Sequence, residues 1–161
     1  MKLYIASSWR NDRYPVVVDR LRDAGHECYD WREHGFRWIE VNKSDDYFSS
    51  YPALEETLAK DRSREGFERD MNALRSCDAC ILVLASGRSA HLEAGWAIGA
   101  GKPTAILYDF TEKVTPELMY LMADKRTTEL AEIVKWLEQL TLPQPQQSRF
   151  PVTYADYNDN D

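Results

Sequence analysis

Short apolar runs alternate along the chain with longer segments in which apolar residues recur every three or four positions. The run at 79–85 is apolar throughout, which is typical of a central strand in a parallel sheet. The segment at 14–24 has the spacing of an amphipathic helix, with Val17 and Leu21 on one face and Gly25 as its stop signal. The same criteria predict strands at 3–6, 27–29, 79–85, 104–108 and, weakly, 125–127, and helices at 14–24, 51–76 and 90–100, a short one from Pro116, and a last one capped by Thr128 and ending at Leu140.

Strands separated by helices of this length need right-handed crossovers, which produce a parallel sheet covered on both faces. We therefore expect an α/β fold of the flavodoxin-like (Rossmann-like) kind, a three-layer sandwich around a central parallel sheet of about five strands in the order 2-1-3-4-5. The segment at 51–76 suits either one helix or two consecutive ones. Its residues Phe67, Met71 and Leu74 have the spacing of side chains that face the core.

The length of 161 residues suits a single domain with a core of its own, and the sequence has no internal repeat. We assign residues 1–141 to this domain and treat 142–161 as a C-terminal tail. The prolines and the Asn/Asp-rich end of the tail are typical of disorder. Its apolar residues Phe150, Val152, Tyr154 and Tyr157 indicate instead that it packs on a neighbouring subunit, and both interpretations stay open.

Composition narrows the classes of function. The chain is 43% apolar, too much for a disordered protein, and no stretch approaches the ~20 apolar residues that span a bilayer. A net charge of -7 argues against a nucleic-acid polymer or a membrane as partner, because both attract a basic surface. However, 11 of the 13 arginines lie at or before Arg88, so a single small anion is still a suitable ligand.

The cysteines and the start of the chain indicate the compartment. Residues 1–8 contain no long apolar run before a cleavage-like segment, so we predict no signal peptide. Three cysteines, an odd number, do not form a disulfide framework, which favours a cytoplasmic location. Cys77 and Cys80 have C-x-x-C spacing, and Cys28 and His26 would complete four zinc ligands. A redox C-x-x-C pair usually opens a helix, whereas this one leads into a strand, and nothing in the sequence brings the four possible zinc ligands together. We therefore favour ordinary buried thiols over a redox or metal site.

In a flavodoxin-like sheet a ligand binds beyond the carboxyl ends of the strands where the strand order reverses, here between the first and third strands. Two loops are expected to meet there, 7–11 and 86–91, and each combines hydroxyl groups with an arginine. The second loop leads into a helix N-terminus, where free N–H groups and the helix dipole favour an anion. Serines before a helix are more often simple caps, so either loop alone is a weak signal. The candidate binding residues in the two loops are Ser7, Ser8, Arg10, Gly87, Arg88 and Ser89.

Acidic residues near the same crevice are candidates for chemistry. Glu93 lies in the first turns of the helix that follows the third strand, where it either complements the helix dipole or acts as an ionised nucleophile. Asp70, on the preceding helix, and Asp78, before the third strand, are each compatible with a solvated acid that has no chemical role. Spacing alone leaves these alternatives open.

Three parts of the chain carry a recognisable pattern: Leu3-Tyr4-Ile5-Ala6-Ser7-Ser8, the run at 67–84, and the helix at 90–99. The most specific part is Glu93-Ala94-Gly95 followed by the break Gly101-Lys102-Pro103. With these residues the chain resembles the nucleoside 2-deoxyribosyltransferase family, whose frame is shared by related deoxynucleoside monophosphate N-glycosidases. The similarity extends over about residues 3 to 108.

The resemblance implies roles for individual residues. Glu93 falls on the family's catalytic glutamate, which attacks the anomeric carbon and holds the sugar as a covalent ester. Asp70 falls on the acid that contacts or protonates the departing base, and Ser7 lies in the loop that lines the sugar. One ionised carboxylate and one proton donor are what such a substitution needs, as in retaining glycoside hydrolysis. The resemblance also implies no cofactor and a homodimer or higher homo-oligomer.

The sequence departs from the family pattern at three places. Arg88 and its hydroxyl neighbours stand where the transferases often have another acid, which favours a phosphate or another anion. Glu117 stands where the family often presents an asparagine from a neighbouring subunit. Aromatic residues at 30–38, including Trp31, would form a wall over the base, although packing is as common a role for them.

Three functional hypotheses follow. The leading one is an enzyme that cleaves or transfers the N-glycosidic bond of a 2′-deoxynucleoside or its 5′-monophosphate, with Glu93 as nucleophile and Asp70 as acid. The second is a non-catalytic sensor of a nucleotide or an ADP-ribose-like ligand, which uses Arg10 and Arg88 to bind. The third is an interaction module whose acidic C-terminal part docks a partner and which responds to no small molecule.

Overall fold

A computed structural model of the chain describes residues 1–33, 51–109 and 117–141. Within these residues, five parallel strands form one sheet in the order β2-β1-β3-β4-β5, with helices packed on both faces. This architecture confirms the predicted α/β flavodoxin-like fold and its strand order. The strands are β1 (Lys2–Ala6), β2 (Glu27–Tyr29), β3 (Ala79–Val83), β4 (Thr104–Leu107) and β5 (Lys125–Thr127); the helices are α1 (Arg13–Asp23), α2 (Tyr51–Ala59), α3 (Asp61–Ser76), α4 (Arg88–Gly99) and α5 (Leu130–Leu140), and a 3-10 helix at Leu118–Met122 precedes β5.

Strand β1 determines how the two helical layers pack, because alternate side chains of a strand point to opposite faces of the sheet. Leu3 and Ile5 belong to the core cluster that contains residues of α1 and α5. Tyr4 and Ala6 belong to the other cluster, with residues of α3 and α4. The neighbouring strand β3 is buried along its whole length, as its uninterrupted apolar sequence predicts.

Helix and strand ends follow the predictions closely. Gly25 has a φ of +84°, a left-handed conformation that glycine adopts readily, and it ends the helix at the predicted place. The segment at 51–76 forms two helices, because α2 ends at Ala59 and α3 begins at Asp61. Strands β3 and β4 are slightly shorter than predicted.

The predicted core stripe of α3 is wrong at one position. Leu74 is fully buried and Met71 packs against the same cluster, but Phe67 is 59% exposed. The buried residues of this helix are Ser63, Gly66 and Leu74. The side of the helix that faces the core therefore includes Gly66 and not its neighbour Phe67. Two of these three buried residues are small, and a pattern of large apolar residues does not reveal such positions.

The predicted cap of the last helix is also wrong. Helix α5 begins at Leu130 with Glu129 in the N-cap position, and Thr127 Oγ1 accepts a hydrogen bond from the Glu129 N–H at 3.1 Å. Pro116 and the tail at 142–161 lie outside the described residues, although the 3-10 helix occupies the place of the short helix expected there. None of the helices in the described ranges is long and apolar enough to cross a membrane.

Candidate active site

The loop after β1 is tied to the end of β3 by one buried asparagine. The Asn11 side-chain amide donates to the carbonyl oxygens of Val83 (3.2 Å) and Ala85 (3.0 Å) and to Ser7 Oγ (3.1 Å). The Ser7 hydroxyl in turn donates to the Val83 carbonyl at 2.9 Å. The structure therefore places Ser7 at the predicted crevice between β1 and β3, where its hydroxyl group is engaged by the backbone.

The same loop is held from the other side by Arg32, in the turn after β2. One guanidinium nitrogen donates to the carbonyl oxygens of Ser8 (2.8 Å), Trp9 (3.1 Å) and Asn11 (2.9 Å). The guanidinium carbon lies 4.6 Å from the ring centroid of Tyr14. A planar cation that bonds several carbonyls and stacks on an aromatic ring is suited to hold a loop in one conformation.

Trp31 lies next to this arginine and packs into the protein. Its indole nitrogen donates to the Ile5 carbonyl at 3.0 Å, and its ring contacts those of Trp9 and Tyr14, each with centroids 5.0 Å apart. The ring is half-buried against the core cluster on the α1 face of the sheet. The predicted base-stacking role of Trp31 remains a prediction, and the other aromatic residues proposed for that wall lie outside the described residues.

The two predicted catalytic carboxyl groups project from neighbouring helices of the other face, Glu93 from α4 and Asp70 from α3, and both are half-buried. Each is paired with a tyrosine of the sheet. The Tyr4 hydroxyl group of β1 acts on Glu93 as a donor that lowers the pKa of this carboxyl group, and the Tyr29 hydroxyl group of β2 donates to Asp70 Oδ1 at 2.7 Å. Tyr4 and Tyr29 are partners in the β1–β2 register, and their rings stack with centroids 5.6 Å apart.

Electrostatics distinguish Glu93 from a surface carboxylate. Burial, and next the negative charge of Asp70, raises the pKa of Glu93 from 4.5 to about 7, while the hydrogen bond from Tyr4 acts in the opposite direction. Burial also raises the pKa of Tyr4 and Tyr29 far above the usual phenol value, so both hydroxyl groups keep their protons and donate. Glu93 is therefore a carboxyl group that changes charge near neutral pH, as nucleophiles and proton carriers do.

A second feature lies at the N-terminus of α4. An open cavity of about 620 Å³ is lined by Ser86, Gly87, Arg88, His91, Leu92, Glu117, Met119 and Tyr120. His91 Nδ1 lies 2.9 Å from the Gly87 carbonyl and Nε2 lies 2.7 Å from the Tyr120 hydroxyl. Because a carbonyl only accepts, neutral His91 carries its proton on Nδ1 and accepts the Tyr120 hydrogen at Nε2.

The structure groups some of the predicted binding residues and separates others. Gly87, Arg88 and Glu117 share the cavity at α4. Among the described residues, the lining of that cavity includes neither Glu93 nor Asp70. Arg10 and Ser89 are exposed, and Ser8 Oγ accepts a hydrogen bond from the Arg10 N–H at 3.2 Å. Two separate features therefore adjoin the start of α4. Arg88, its first residue, lines the cavity, and Glu93, five residues later, belongs to the pair of carboxyl groups with Asp70.

The cysteines are buried thiols. Cys28, Cys77 and Cys80 are all free and buried, and burial raises the pKa of each. A thiol whose pKa is raised is a poor nucleophile and a poor metal ligand. In residues 1–33, 51–109 and 117–141 no cluster of three or more His, Cys, Asp or Glu side chains is arranged to hold a metal ion.

Four residues important to this geometry were not predicted from the sequence. Tyr4, Tyr29, Asn11 and Arg32 orient the acids or hold the loop after β1, as described above. Tyr4 had a signal, because a tyrosine inside an apolar strand needs a partner for its hydroxyl group. The other three act through contacts with residues more than 20 positions away in the chain, which local patterning does not reveal.

No protein-family model matches this sequence, and no curated protein matches it. Similarity appears at the level of structure. The chain aligns with the 2-deoxyribosyltransferase of the psychrotolerant bacterium Bacillus psychrosaccharolyticus with a TM-score of 0.55 and 18% identity, over 83% of this chain and 90% of that chain. It aligns with a conserved protein from Enterococcus faecalis V583 with a TM-score of 0.57 and 12% identity, over 87% of this chain and 98% of that one.

A third alignment, with the CMP N-glycosidase BcmB of Clostridium botulinum, has a TM-score of 0.49 and 14% identity, over 86% of this chain and 99% of that one. At the identities of the first two alignments, the likeness demonstrates a common fold. The chain thus shares the flavodoxin-like fold of a 2-deoxyribosyltransferase over most of the length of both proteins.

Proposed function

We propose that this chain is an enzyme of the nucleoside 2-deoxyribosyltransferase kind, which cleaves or transfers the N-glycosidic bond of a 2′-deoxynucleoside or its 5′-monophosphate. One observation carries the proposal: the half-buried Glu93, on a helix that leads from the crevice, is close enough to Asp70 for that charge to raise its pKa. The fold shared with a protein described as a 2-deoxyribosyltransferase supports the same reaction class.

The first step forms a covalent intermediate. An oxygen of ionised Glu93 attacks the anomeric carbon of the sugar while the bond between that carbon and the base nitrogen breaks. The electron pair of the broken bond leaves with the base, whose ring system takes up the proton carried by Asp70. The products are a glycosyl ester on Glu93, a neutral free base and an ionised Asp70.

The second step reverses these roles. An acceptor attacks the anomeric carbon, the ester bond to Glu93 breaks, and the proton displaced from the acceptor passes to Asp70. A second base as acceptor makes the enzyme a transferase, whereas water makes it a hydrolase. In the reactive form the two carboxyl groups hold one proton between them: Glu93 is ionised as the nucleophile, and the proton lies on Asp70.

The two loops at the crevice would bind the rest of the substrate. Ser7, Ser8 and Arg10 follow β1, and Gly87, Arg88 and Ser89 begin α4, where the helix dipole favours a 5′-phosphate or another anion. Trp31, which contacts Trp9 of the first loop, and Glu117, which lines the cavity with Arg88, complete the proposed binding set. The reaction needs no cofactor, because the carboxyl pair supplies both the nucleophile and the proton.

We also propose a homo-oligomer. Large apolar side chains are exposed on α4 and on the 3-10 helix beside it, next to the cavity that holds Arg88, and an exposed patch of this kind often marks an interface. These are Leu92, Trp96, Leu118, Met119, Leu121 and Met122. Sedimentation should therefore detect a dimer or larger species, and a monomer at micromolar concentration would contradict the proposed homo-oligomer.

We also propose a cytoplasmic location, which the free buried thiols support.

The main test measures base release. The protein is incubated with 2′-deoxynucleosides and their 5′-monophosphates, with and without a second free base, and the products are separated by chromatography. We expect free base from the wild type and a loss of at least about a hundredfold in Glu93→Ala. No base release from any substrate, or a Glu93→Ala variant as active as the wild type, would refute the proposal.

One observation favours a non-catalytic sensor as the second candidate. The cavity with Arg88 does not include Glu93, so a nucleotide or an ADP-ribose-like ligand could bind there without reaching the acids. Calorimetry with nucleotides separates the two classes. Binding without turnover, abolished in Arg88→Ala and retained in Glu93→Gln, is the result expected of a sensor.

A further inference from the structure

Tyr29 is the last residue of β2 and connects the sheet to the acid on α3. Its hydroxyl group donates to Asp70 Oδ1 at 2.7 Å, a well-formed O–H···O hydrogen bond. Its ring is stacked on that of Tyr4, with an angle of 19° between the ring planes. The ring and the strand register therefore determine where the hydroxyl group meets Asp70.

Each carboxyl group of the proposed site thus has its own tyrosine, and the two tyrosines support each other. The Tyr4 hydroxyl group of β1 lowers the pKa of Glu93, while the Tyr29 hydroxyl group of β2 donates a hydrogen bond to Asp70. The pairing of the strands keeps the phenol groups side by side, as Tyr4 and Tyr29 are direct partners in the register. A tyrosine whose role was only to fill space would need no hydroxyl group at this position.

We propose that Tyr29 is a positioning residue for Asp70: it holds Oδ1 of that carboxyl group, so that the proton delivered to the departing base is carried on Oδ2. This inference rests on the proposed function and adds to it a residue that does not touch the substrate. The proton passes from Asp70 Oδ2 to the base as the anomeric carbon–nitrogen bond breaks, and the Tyr29 hydroxyl then donates to the carboxylate that remains.

The sign of the effect on pH dependence follows from the groups that surround Asp70. Among the described residues these groups include Tyr29 of β2, Tyr4 of β1 and Glu93 of α4, with Arg69 acting on Tyr29. A hydrogen bond donated to an ionised carboxylate favours the ionised form, so removal of the Tyr29 hydroxyl raises the pKa of Asp70. The pair then holds its single proton to higher pH, and both limbs of the activity profile shift in that direction.

The test compares Tyr29→Phe with Tyr14→Phe. Tyr14 is the control, because its hydroxyl group also donates to an aspartate, Asp30, at 3.0 Å on the opposite face of the sheet; Tyr14 is fully buried, whereas Tyr29 is half-buried. We expect Tyr29→Phe to lower kcat by about tenfold, to change KM less, and to shift the pH profile upward by about one pH unit. Tyr14→Phe should keep the profile of the wild type.

A double-mutant cycle distinguishes positioning from general support of the fold. If Tyr29 acts through Asp70, Tyr29→Phe causes no further loss of kcat in the Asp70→Asn background. A loss that is additive with that of Asp70→Asn, or a Tyr29→Phe profile that coincides with the wild type, would overturn the inference.

A substrate-free measurement separates this inference from the proposed function. The Asp70 carboxyl carbon is titrated by ¹³C NMR in the wild type and in Tyr29→Phe, with the signal assigned from its absence in Asp70→Asn. We expect the midpoint to rise in Tyr29→Phe, and an unchanged midpoint would refute the role of Tyr29 even if base release is observed. Conversely, a raised midpoint in a protein that releases no base would refute the proposed function and leave the Tyr29–Asp70 coupling established.

Discussion

Removal of the Tyr4 hydroxyl group should raise the pKa of Glu93 further. Burial and the charge of Asp70 raise this pKa to about 7, and the Tyr4 hydrogen bond is the contribution that lowers it. Tyr4 is only 1% exposed, and Tyr4→Phe keeps its ring in the core while removing one donor. A hydrogen bond to a charged group contributes about 1.5 to 3 kcal/mol, and one pKa unit corresponds to about 1.4 kcal/mol. We therefore expect a rise of about one unit.

The measurement is a ¹³C NMR titration of the glutamate carboxyl carbons, in which Glu93→Gln identifies the Glu93 signal. The midpoint should lie near 7 in the wild type and about one unit higher in Tyr4→Phe. Asp70→Asn should move it in the opposite direction, because the variant removes the negative charge that raises the pKa. Tyr14→Phe, on the other face of the sheet, should leave the midpoint unchanged.

The same change has a consequence for rate. A nucleophile must be ionised, so at pH 7 a rise of one unit lowers the reactive fraction of Glu93 by about fivefold. The ascending limb of the pH–rate profile should therefore move to higher pH in Tyr4→Phe and to lower pH in Asp70→Asn. A wild-type midpoint near 4.5, or a Tyr4→Phe midpoint at or below that of the wild type, would refute the electrostatic reasoning.

The remaining predictions concern stability. Because the pKa of Glu93 is raised by folding, its ionisation costs stability as the pH rises from 4.5 through about 7. Thermal unfolding should accordingly show that Glu93→Gln has nearly the stability of the wild type at pH 4 and is more stable above pH 7, by at most about 3 kcal/mol. A difference in stability that stays constant between these pH values would contradict the prediction. Asn11→Ala removes the side-chain donor to the Ala85 carbonyl and one of the two side-chain donors to the Val83 carbonyl, so it should lower the free energy of unfolding in urea by about 1 to 3 kcal/mol. Asn72→Ala, at an exposed position, should change it by less than about 0.5 kcal/mol. Arg32→Lys keeps the charge but loses the planar group that bonds three carbonyls, so a loss of about 2 kcal/mol is expected, and an unchanged urea midpoint would argue against the role of Arg32 in the loop.

Strong local signals made the fold predictable. A wholly apolar run identified β3, and a glycine after an amphipathic stripe marked the end of α1, so the alternation of strands and helices followed from short windows of sequence. The strand order is not encoded in any single residue, and its prediction rested on the order that is usual for a flavodoxin-like chain of this size. The prediction for Phe67 was wrong because the local signal was missing there. The buried positions of α3 include Ser63 and Gly66, and such small residues do not stand out in a pattern of large apolar residues.

The candidate site was only partly predictable, because its geometry depends on contacts between distant elements. Glu93 and Asp70 could be proposed from resemblance, since each lies in a conspicuous motif on a helix. Their partners could not, because Tyr4 and Tyr29 meet the acids only after the sheet has formed. Arg32 was equally hidden, since its three carbonyl partners lie 21 to 24 positions earlier in the chain.

Strand β2 has an influence on this site that is out of proportion to its length. It contains only three residues, and its register with β1 sets Tyr29 opposite Tyr4. A slip of one residue would turn the Tyr29 side chain toward the α1 face, because successive side chains of a strand alternate between faces. Asp70 would then lose its donor, although the core clusters on both faces would keep nearly all their members. The acid–base chemistry proposed here therefore depends on one of the weakest elements of the fold, and changes in β2 should alter pH dependence before they alter stability.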